Sequence, residues 1–195
     1  MTTFRRGFKS WSEQMSLGFR RDLSLDRISA LDPRKLGKHL GILIWTPEEV
    51  ARLGGGLDKC HLDQLLIHDK SSWSAVTLID RGRRLIIVNS AHVPVRQNSD
   101  LMHEISHLVL EHEPARVDMT EQGLMILNNY DKKQEAEADW LGGALLVPRD
   151  PLLMVLSRNA STTQAAALFG VSGDMISWRR KMTGIDTQLQ RRSAI

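Results

Sequence analysis

The segment 101–110 constrains this chain most, because it reads Leu-Met-His-Glu-Ile-Ser-His-Leu-Val-Leu. Its two histidines, His103 and His107, are four positions apart and share one face if the segment is helical. Two imidazoles placed in this way can hold one side of a tetrahedral Zn²⁺ ion. Glu104 follows the first histidine, where it can reach a water on the metal and take its proton. The pattern H-E-x-x-H therefore predicts a zinc site of the hydrolytic kind.

The residues around this pattern favour a buried helix. An apolar stripe at spacings of three and four consists of Met102, Ile105, Leu108 and Val109. The polar residues 97–100 offer capping side chains and an acid for the beginning of such a helix. The alternative is a buried helix with two hydrogen-bonded histidines, because a short motif remains a hypothesis until its context is known.

A second helix is predicted from Lys133 to a stop near Pro148, which cannot continue it. Glu135 and Asp139 share one face of this helix, one turn apart. A catalytic zinc takes three protein ligands and keeps a position for water, so Glu135 is the expected third ligand. Asp139 is expected to accept the free N–H of a ligand histidine and fix its tautomer. Glu137, the less favoured alternative for the third ligand, points away from that face and is interpreted as a solvated charge.

Together these motifs resemble the ImmA/IrrE-type metallo-endopeptidases. Their pattern is an apolar strand ending in Asn, an H-E-x-x-H helix, and E-x-x-x-[ND] running into a small-residue helix that ends Leu-Leu-Met/Val-Pro. The corresponding segments are residues 85–89, 103–107, 135–139 and 145–148. The resemblance as a whole covers about residues 33–182. The departures are an Asp where Asn is more common, a Val where Met is more common before the final proline, and a lead-in at residues 96–102 that is more polar than the usual Thr-Leu-Ala, and none of them removes a ligand.

The resemblance implies that His103, His107 and Glu135 bind the metal and that Glu104 acts in catalysis. It implies an α+β, zincin-like core, in which a small mixed or antiparallel sheet lies beside the H-E-x-x-H helix and the Glu-bearing helix. Helical extensions are expected at both ends. It also implies a specific protein substrate, a helix-turn-helix transcriptional repressor in stress response or mobile-element regulation.

Composition limits the cellular setting. The chain has one cysteine, Cys60, which excludes an internal disulfide and suits a reducing cytoplasm. No apolar run approaches the length of about 18 residues that a membrane helix needs. The N-terminus has basic residues without a following apolar signal core. We therefore expect a cytoplasmic protein with no membrane span.

The charge is distributed unevenly, although the net charge is only +3. Residues 97–139 contain three Lys/Arg and ten Asp/Glu, a net charge of −7, whereas residues 1–40 carry +5 and residues 140–195 carry +4. An acidic catalytic middle favours a divalent cation and basic substrate segments. The basic ends could contact nucleic acid or an acidic partner, or could be ordinary solvated surface.

The chain is predicted to have three parts. Residues 1–32 form a basic amphipathic helical extension, 33–150 the catalytic domain, and 151–195 a helical segment packed on the core. The apolar residues of the first part recur every fourth position, at Trp11, Met15 and Phe19. Packing on the core is favoured over a nucleic-acid or partner arm for this helix.

A hairpin is predicted from two β-rich runs, 73–79 and 84–89, around a glycine-containing turn. By resemblance, one of its strands receives substrate as an added strand. The polar connection 111–133 is expected to form a rim or lid. Within it, His112 lies off the metal face and is interpreted as structural or as a partner of a ligand, and Tyr130 is not assigned to the site.

Residues 161–182 resemble a helix-turn-helix, with two arginines, Arg179 and Arg180, and Lys181 beside Trp178 on the second helix. These residues could meet phosphates, although a packed helix pair is preferred. The alternative function is therefore a DNA-binding regulator, or a toxin–antitoxin-type partner, with a non-catalytic zinc site. A purely structural zinc is disfavoured, because such sites usually have four, often Cys-containing, ligands.

Overall fold

The computed structural model describes residues 4–54, 56–113, 116–119, 125–128 and 131–193. Over these residues the fold is α+β, as the sequence predicts. The helices are α1 (Phe8–Asp22), α2 (Pro33–His39), α3 (Pro47–Arg52), α4 (Lys59–Asp63), α5 (Pro94–Val109), α6 (Lys132–Leu146), α7 (Arg149–Leu156), α8 (Thr162–Phe169), α9 (Gly173–Thr183) and α10 (Ile185–Ser193). The strands are β1 (Ile42–Trp45), β2 (Ala75–Asp80), β3 (Arg83–Val88), β4 (Arg116–Met119) and β5 (Met125–Asn128). A π-helical turn, Gln64–His68, continues α4.

The larger sheet contains three of the described strands in the order β1-β3-β2. Strand β3 pairs in parallel with β1 and antiparallel with β2. On the face toward the helices, Ile42, Ile86 and Val88 are buried. Strand β2 therefore forms one edge of this mixed sheet, while the second described sheet is the antiparallel pair β4-β5.

The predicted hairpin is confirmed, and its turn explains its register. Asp80 pairs with Arg83 across a two-residue loop. Both loop residues have positive φ, 45° at Arg81 and 79° at Gly82. Two consecutive left-handed residues match the twist of the flanking strands, which is why short hairpins use this kind of turn. The turn fixes which residues of β2 face the helices.

Helix α5, which carries the H-E-x-x-H pattern, begins earlier than the sequence suggests. Its first residue is Pro94, and the prediction that residues 97–100 cap it is wrong. Proline is favoured at the first helical position, because its φ is already helical and its missing N–H is not needed there. Asp100 consequently lies inside the helix, where its carboxylate is 2.9 Å from Nδ1 of the buried His92.

Helices α5 and α6 pack along each other in the centre of the molecule. A Cβ atom placed on Gly142 of α6 would lie 3.4 Å from the carbonyl oxygen of Met102 and from Oγ of Ser106 on α5. The small residues of α6 thus let the two backbones approach closely. The side chains of Met102, Ile105 and Leu141 complete this contact and are fully buried.

The amphipathic N-terminal helix α1 packs against α6, and the prediction that it lies on the core is confirmed. Phe8 and Phe19 are buried, with Trp11 and Met15 packed against the core from its edge. Arg20 of α1 is also buried and donates hydrogen bonds to the carbonyl oxygens near the end of α6. These bonds supply partners for carbonyl groups that a helix end leaves free.

The C-terminal helices pack on the same end of α6. The guanidinium of Arg179 on α9 donates from Nε to the carbonyl oxygen of Val147 at 2.8 Å and forms an ion pair with Glu13. Its neighbour Arg180 forms an ion pair with Asp186 at 2.7 Å. The preferred interpretation, a packed helix pair, is therefore confirmed for α8 and α9. Among the described residues, no helix combines the length and apolar character required to cross a membrane.

Candidate metal centre

Three side chains that the sequence predicts as metal ligands converge at the contact between α5 and α6. Nε2 of His103 lies 3.0 Å from Nε2 of His107. The carboxylate of Glu135 approaches both rings, at 3.2 Å from Nε2 of His103 and 3.5 Å from Nε2 of His107. All three donor atoms lie within 4.8 Å of one another. The structure therefore brings His103, His107 and Glu135 together, although 28 positions separate the last two in sequence.

The spacing of these donor atoms fits a small divalent cation. Tetrahedral zinc with bonds of about 2.0–2.1 Å requires its ligand atoms to be about 3.3 Å apart. The two imidazole nitrogens are 3.0 Å apart, and Glu135 approaches them with its two different oxygens, Oε2 at 3.2 Å from His103 and Oε1 at 3.5 Å from His107, so these contacts are close to that distance. Two imidazole nitrogens and one carboxylate oxygen also match the donor set of known catalytic zinc sites. The residues present therefore fit such an ion in donor type and in spacing.

Asp139 lies next to the first histidine. Its carboxylate is 3.0 Å from Nδ1 of His103, on the side of the ring away from the cluster. Because a carboxylate can only accept, this contact places the proton of His103 on Nδ1 and leaves Nε2 free. Burial would lower the pKa of His103, but the hydrogen bond and charge of Asp139, with the charges of Glu104 and Glu135, raise it above its usual value.

His107 has a different environment. Its Nδ1 lies 3.0 Å from Nδ1 of His112, whose Nε2 lies 3.4 Å from a carboxylate oxygen of Glu137. Burial and the nearby charges of His103 and His112 lower the pKa of His107 to about 4. The interpretation of Glu137 as a solvated charge is wrong, because only 13% of its side chain is exposed and it pairs with His112. His112 is expected from the sequence to be either structural or the partner of a metal ligand, and its contact with His107 supports the second interpretation.

Glu104 occupies the position between the cluster and the sheet. Its carboxylate is largely buried and accepts a hydrogen bond from the hydroxyl of Thr77 on β2. Burial raises the pKa of Glu104, the hydrogen bond from Thr77 and the charge of His103 oppose that change, and the charges of Glu135 and Asp100 add to it. A carboxyl group whose pKa is raised toward neutrality is suited to both accepting and returning a proton.

Thr77 and Glu137 are the two site residues that sequence reasoning missed. No spacing within one sequence relates Thr77 on an edge strand to Glu104, since their contact depends on how the sheet packs against α5. Glu137 is linked to the site only through His112, so it could have been predicted as a site residue only if the contact between His112 and His107 had been known. Tyr130 and part of the expected rim at 111–133 lie outside the described residues.

A small mixed sheet, an H-E-x-x-H helix and a second helix that brings a carboxylate to two imidazoles are the arrangement expected of a metallopeptidase. The family model of the IrrE N-terminal-like domain, peptidase family M78, matches residues 64–179, which is more than half of the chain. The chain therefore belongs to this metallopeptidase family, and the resemblance seen in the motifs is confirmed. No curated protein matches the chain significantly.

Membership in the family carries general consequences. The α+β fold of the chain is that of a zincin-like M78 domain. A metallopeptidase has a metal cofactor and acts on a protein substrate. Membership in the family therefore implies a metal and a protein substrate for this chain, without specifying which metal or which protein. The matched range begins in the π-helical turn, contains all of α5 and α6, and ends within α9.

Proposed function

We propose that this protein is a zinc-dependent endopeptidase in which His103, His107 and Glu135 hold the metal and Glu104 transfers protons. The convergence of the three donor atoms, with Glu104 on the same helix as the two histidines, carries this proposal. Asp139 has a supporting role, since it holds His103 in the tautomer that presents Nε2 to the metal. The cluster lies at the surface end of the α5–α6 contact, where 27% of the His103 side chain and 31% of the Glu135 side chain are exposed.

The reaction divides between the metal and the chain's own residues. When bound, zinc supplies a Lewis acid that lowers the pKa of water and polarises the scissile carbonyl. Glu104 accepts the proton that the attacking water loses and delivers it to the amine nitrogen as the peptide bond breaks. Its raised pKa makes the protonated form accessible during turnover. Thr77 holds the Glu104 carboxylate in a single orientation through its hydroxyl.

Strand β2 is the part of the sheet that we assign to substrate binding. It is an edge strand of the described sheet, and Thr77 ties it directly to Glu104. An extended peptide can add to such an edge through main-chain hydrogen bonds. Val76 and Leu78 lie on either side of Thr77 in the strand. Their apolar side chains are exposed on the opposite face of the strand. A substrate strand laid along β2 would therefore run beside the catalytic carboxylate.

The substrate that we propose is a cytoplasmic helix-turn-helix repressor, whose cleavage would relieve repression. This identity is supported by resemblance to the ImmA/IrrE-type enzymes rather than by a contact in the site. The net charge of −7 over residues 97–139 favours basic substrate segments, which DNA-binding repressors often contain. In this proposal residues 1–32 and 151–195 are helical extensions that support a catalytic domain at 33–150.

The direct test is digestion of candidate helix-turn-helix repressors from the same organism by zinc-loaded wild type and by Glu104→Gln. We expect cutting by the wild type only, with stoichiometric zinc in both proteins, because the amide keeps the shape of the carboxylate but cannot accept the proton. His103→Ala should lose zinc. Equal cutting by wild type and Glu104→Gln, or full zinc content in His103→Ala, would contradict the assigned roles.

The alternative, a DNA-binding regulator or a toxin–antitoxin-type partner with a non-catalytic zinc site, has less support. Arg179, one of the two arginines that could meet phosphates, is fully buried, and Arg180 forms an ion pair with Asp186. Only Lys181 of these basic residues is exposed without such engagement among the described contacts. Salt-dependent DNA binding together with unchanged function in Glu104→Gln would favour the alternative.

A further inference from the structure

The turn that ends α5 folds the chain back over the second histidine of the motif. Glu111 has φ 54°, a left-handed conformation that is uncommon for a residue other than glycine. The N–H of His112 donates to the carbonyl oxygen of His107 at 3.0 Å, and the N–H of Glu111 donates to that of Leu108 at 3.4 Å. These two bonds form a Schellman ending, which sends the chain back across the last helical turn.

The imidazole of His112 is thereby placed against the imidazole of His107. The ring centroids lie 4.9 Å apart and the ring planes make an angle of 73°. The two Nδ1 atoms are 3.0 Å apart. On its other side, Nε2 of His112 lies 3.4 Å from Glu137, which α6 supplies two positions after Glu135. Only 7% of the His112 side chain and 13% of the Glu137 side chain are exposed.

The acceptors in this chain of contacts determine where the protons lie. The Glu137 carboxylate can only accept, so it places the proton of neutral His112 on Nε2. Nδ1 of His112 is then an acceptor, and the facing Nδ1 of His107 must be the donor. The remaining nitrogen of His107, Nε2, carries a lone pair and faces His103 and Glu135.

We propose that His112 and Glu137 form a positioning relay, in which Glu137 orients His112 and His112 holds the ring of His107 with Nε2 directed at the metal. The two ligand histidines are then supported differently: His103 by Asp139 directly, and His107 by Glu137 through an intervening imidazole. This inference rests on the proposed function, because it takes the cluster of His103, His107 and Glu135 to be a metal site. It adds two positioning residues that touch neither metal nor substrate.

The test uses Zn²⁺ alone as the probe and measures its affinity by competition with a chromophoric chelator. His112→Phe keeps the ring volume and removes the acceptor, and we expect affinity about 10–100-fold weaker. His112→Asn returns an oxygen near the position of Nδ1, and should recover most of the loss. Glu137→Met removes the acceptor for His112 and should weaken binding about tenfold. The matched control is Glu111→Gln, which, like Glu137→Met, removes one carboxylate charge near His112, but at an exposed residue outside the relay.

A second measurement separates positioning from general destabilisation. In ¹⁵N-labelled, zinc-bound protein, the Nδ1–H of His107 should exchange slowly with water in wild type and His112→Asn, and rapidly in His112→Phe. Should His112→Phe fail to fold, Glu137→Met on the far side of the relay decides the question.

The outcomes distinguish failure of the relay from failure of the proposed function on which the relay rests. Wild-type zinc binding with unchanged affinity in all three relay variants would overturn the relay and leave the metal site intact. No stoichiometric zinc in the wild type would overturn both.

Discussion

Replacing Arg20 with methionine tests whether the buried arginines stabilise the end of α6, the helix that carries Glu135. Arg20 donates from Nη1 to the carbonyl oxygen of Leu145 at 2.7 Å and from Nη2 to that of Leu146 at 3.1 Å. Nη1 also donates to Oγ of Ser16 at 2.8 Å. Methionine fills most of the same volume but donates nothing, so both helix carbonyl groups would lose this buried partner.

The expected loss is a difference between two opposing effects. Each hydrogen bond from a charged donor contributes about 1.5–3 kcal/mol, which gives about 3–6 kcal/mol for the two carbonyl groups. Against this, burial lowers the pKa of Arg20 to about 10, partly opposed by the charge of Glu13. That change corresponds to a cost of about 3 kcal/mol for keeping the charge buried. The substitution should therefore lower the free energy of unfolding by about 1.5 kcal/mol, the midpoint of the first range less that cost.

The assay is urea denaturation of the metal-free protein, with Arg21→Met as the matched control. Arg21 is the next residue along α1 and is exposed, so its replacement should change stability by less than about 0.5 kcal/mol. In a thermal scan, the loss for Arg20→Met should lower Tm by about 3–6 °C. Equal stability of the two variants would show that the helix end does not depend on Arg20, and would refute the reasoning.

Three further predictions concern the site and the helix contact. Thr77→Val removes a hydroxyl that lowers the pKa of Glu104, so the acidic limb of the kcat/KM profile should move to higher pH, and an unchanged limb would contradict the hydrogen bond. Because the pKa of His103 is raised and that of His107 is about 4, one imidazole proton competes with zinc between pH 5 and the pKa of His103. Zinc affinity, measured by chelator competition, should therefore fall about tenfold for each unit by which the pH is lowered in this range. A hundredfold fall per pH unit would refute this. Gly143→Ala should lower stability in urea by about 1–3 kcal/mol, because a methyl group would overlap Trp178.

The sequence by itself determined the parts of the site that a single helix can place. The four-residue spacing of His103 and His107 puts both rings on one face wherever that helix lies, and the same rule separates Glu135 and Asp139 from Glu137. The hairpin followed from its two β-rich runs and the turn at Gly82, and the α+β class followed from the resemblance that the motifs carry. These features depend on neighbours along the chain, so one sequence is sufficient to predict them.

Only the tertiary structure decided the contacts between distant elements. Packing of the sheet on α5 joins Thr77 to Glu104, and the left-handed Glu111 turns His112 back onto Glu137. The same packing buries Arg179, which sequence alone would leave available to phosphates. Side chains far apart in sequence meet only after the backbones have docked, and helical or strand spacing contains no information about that docking.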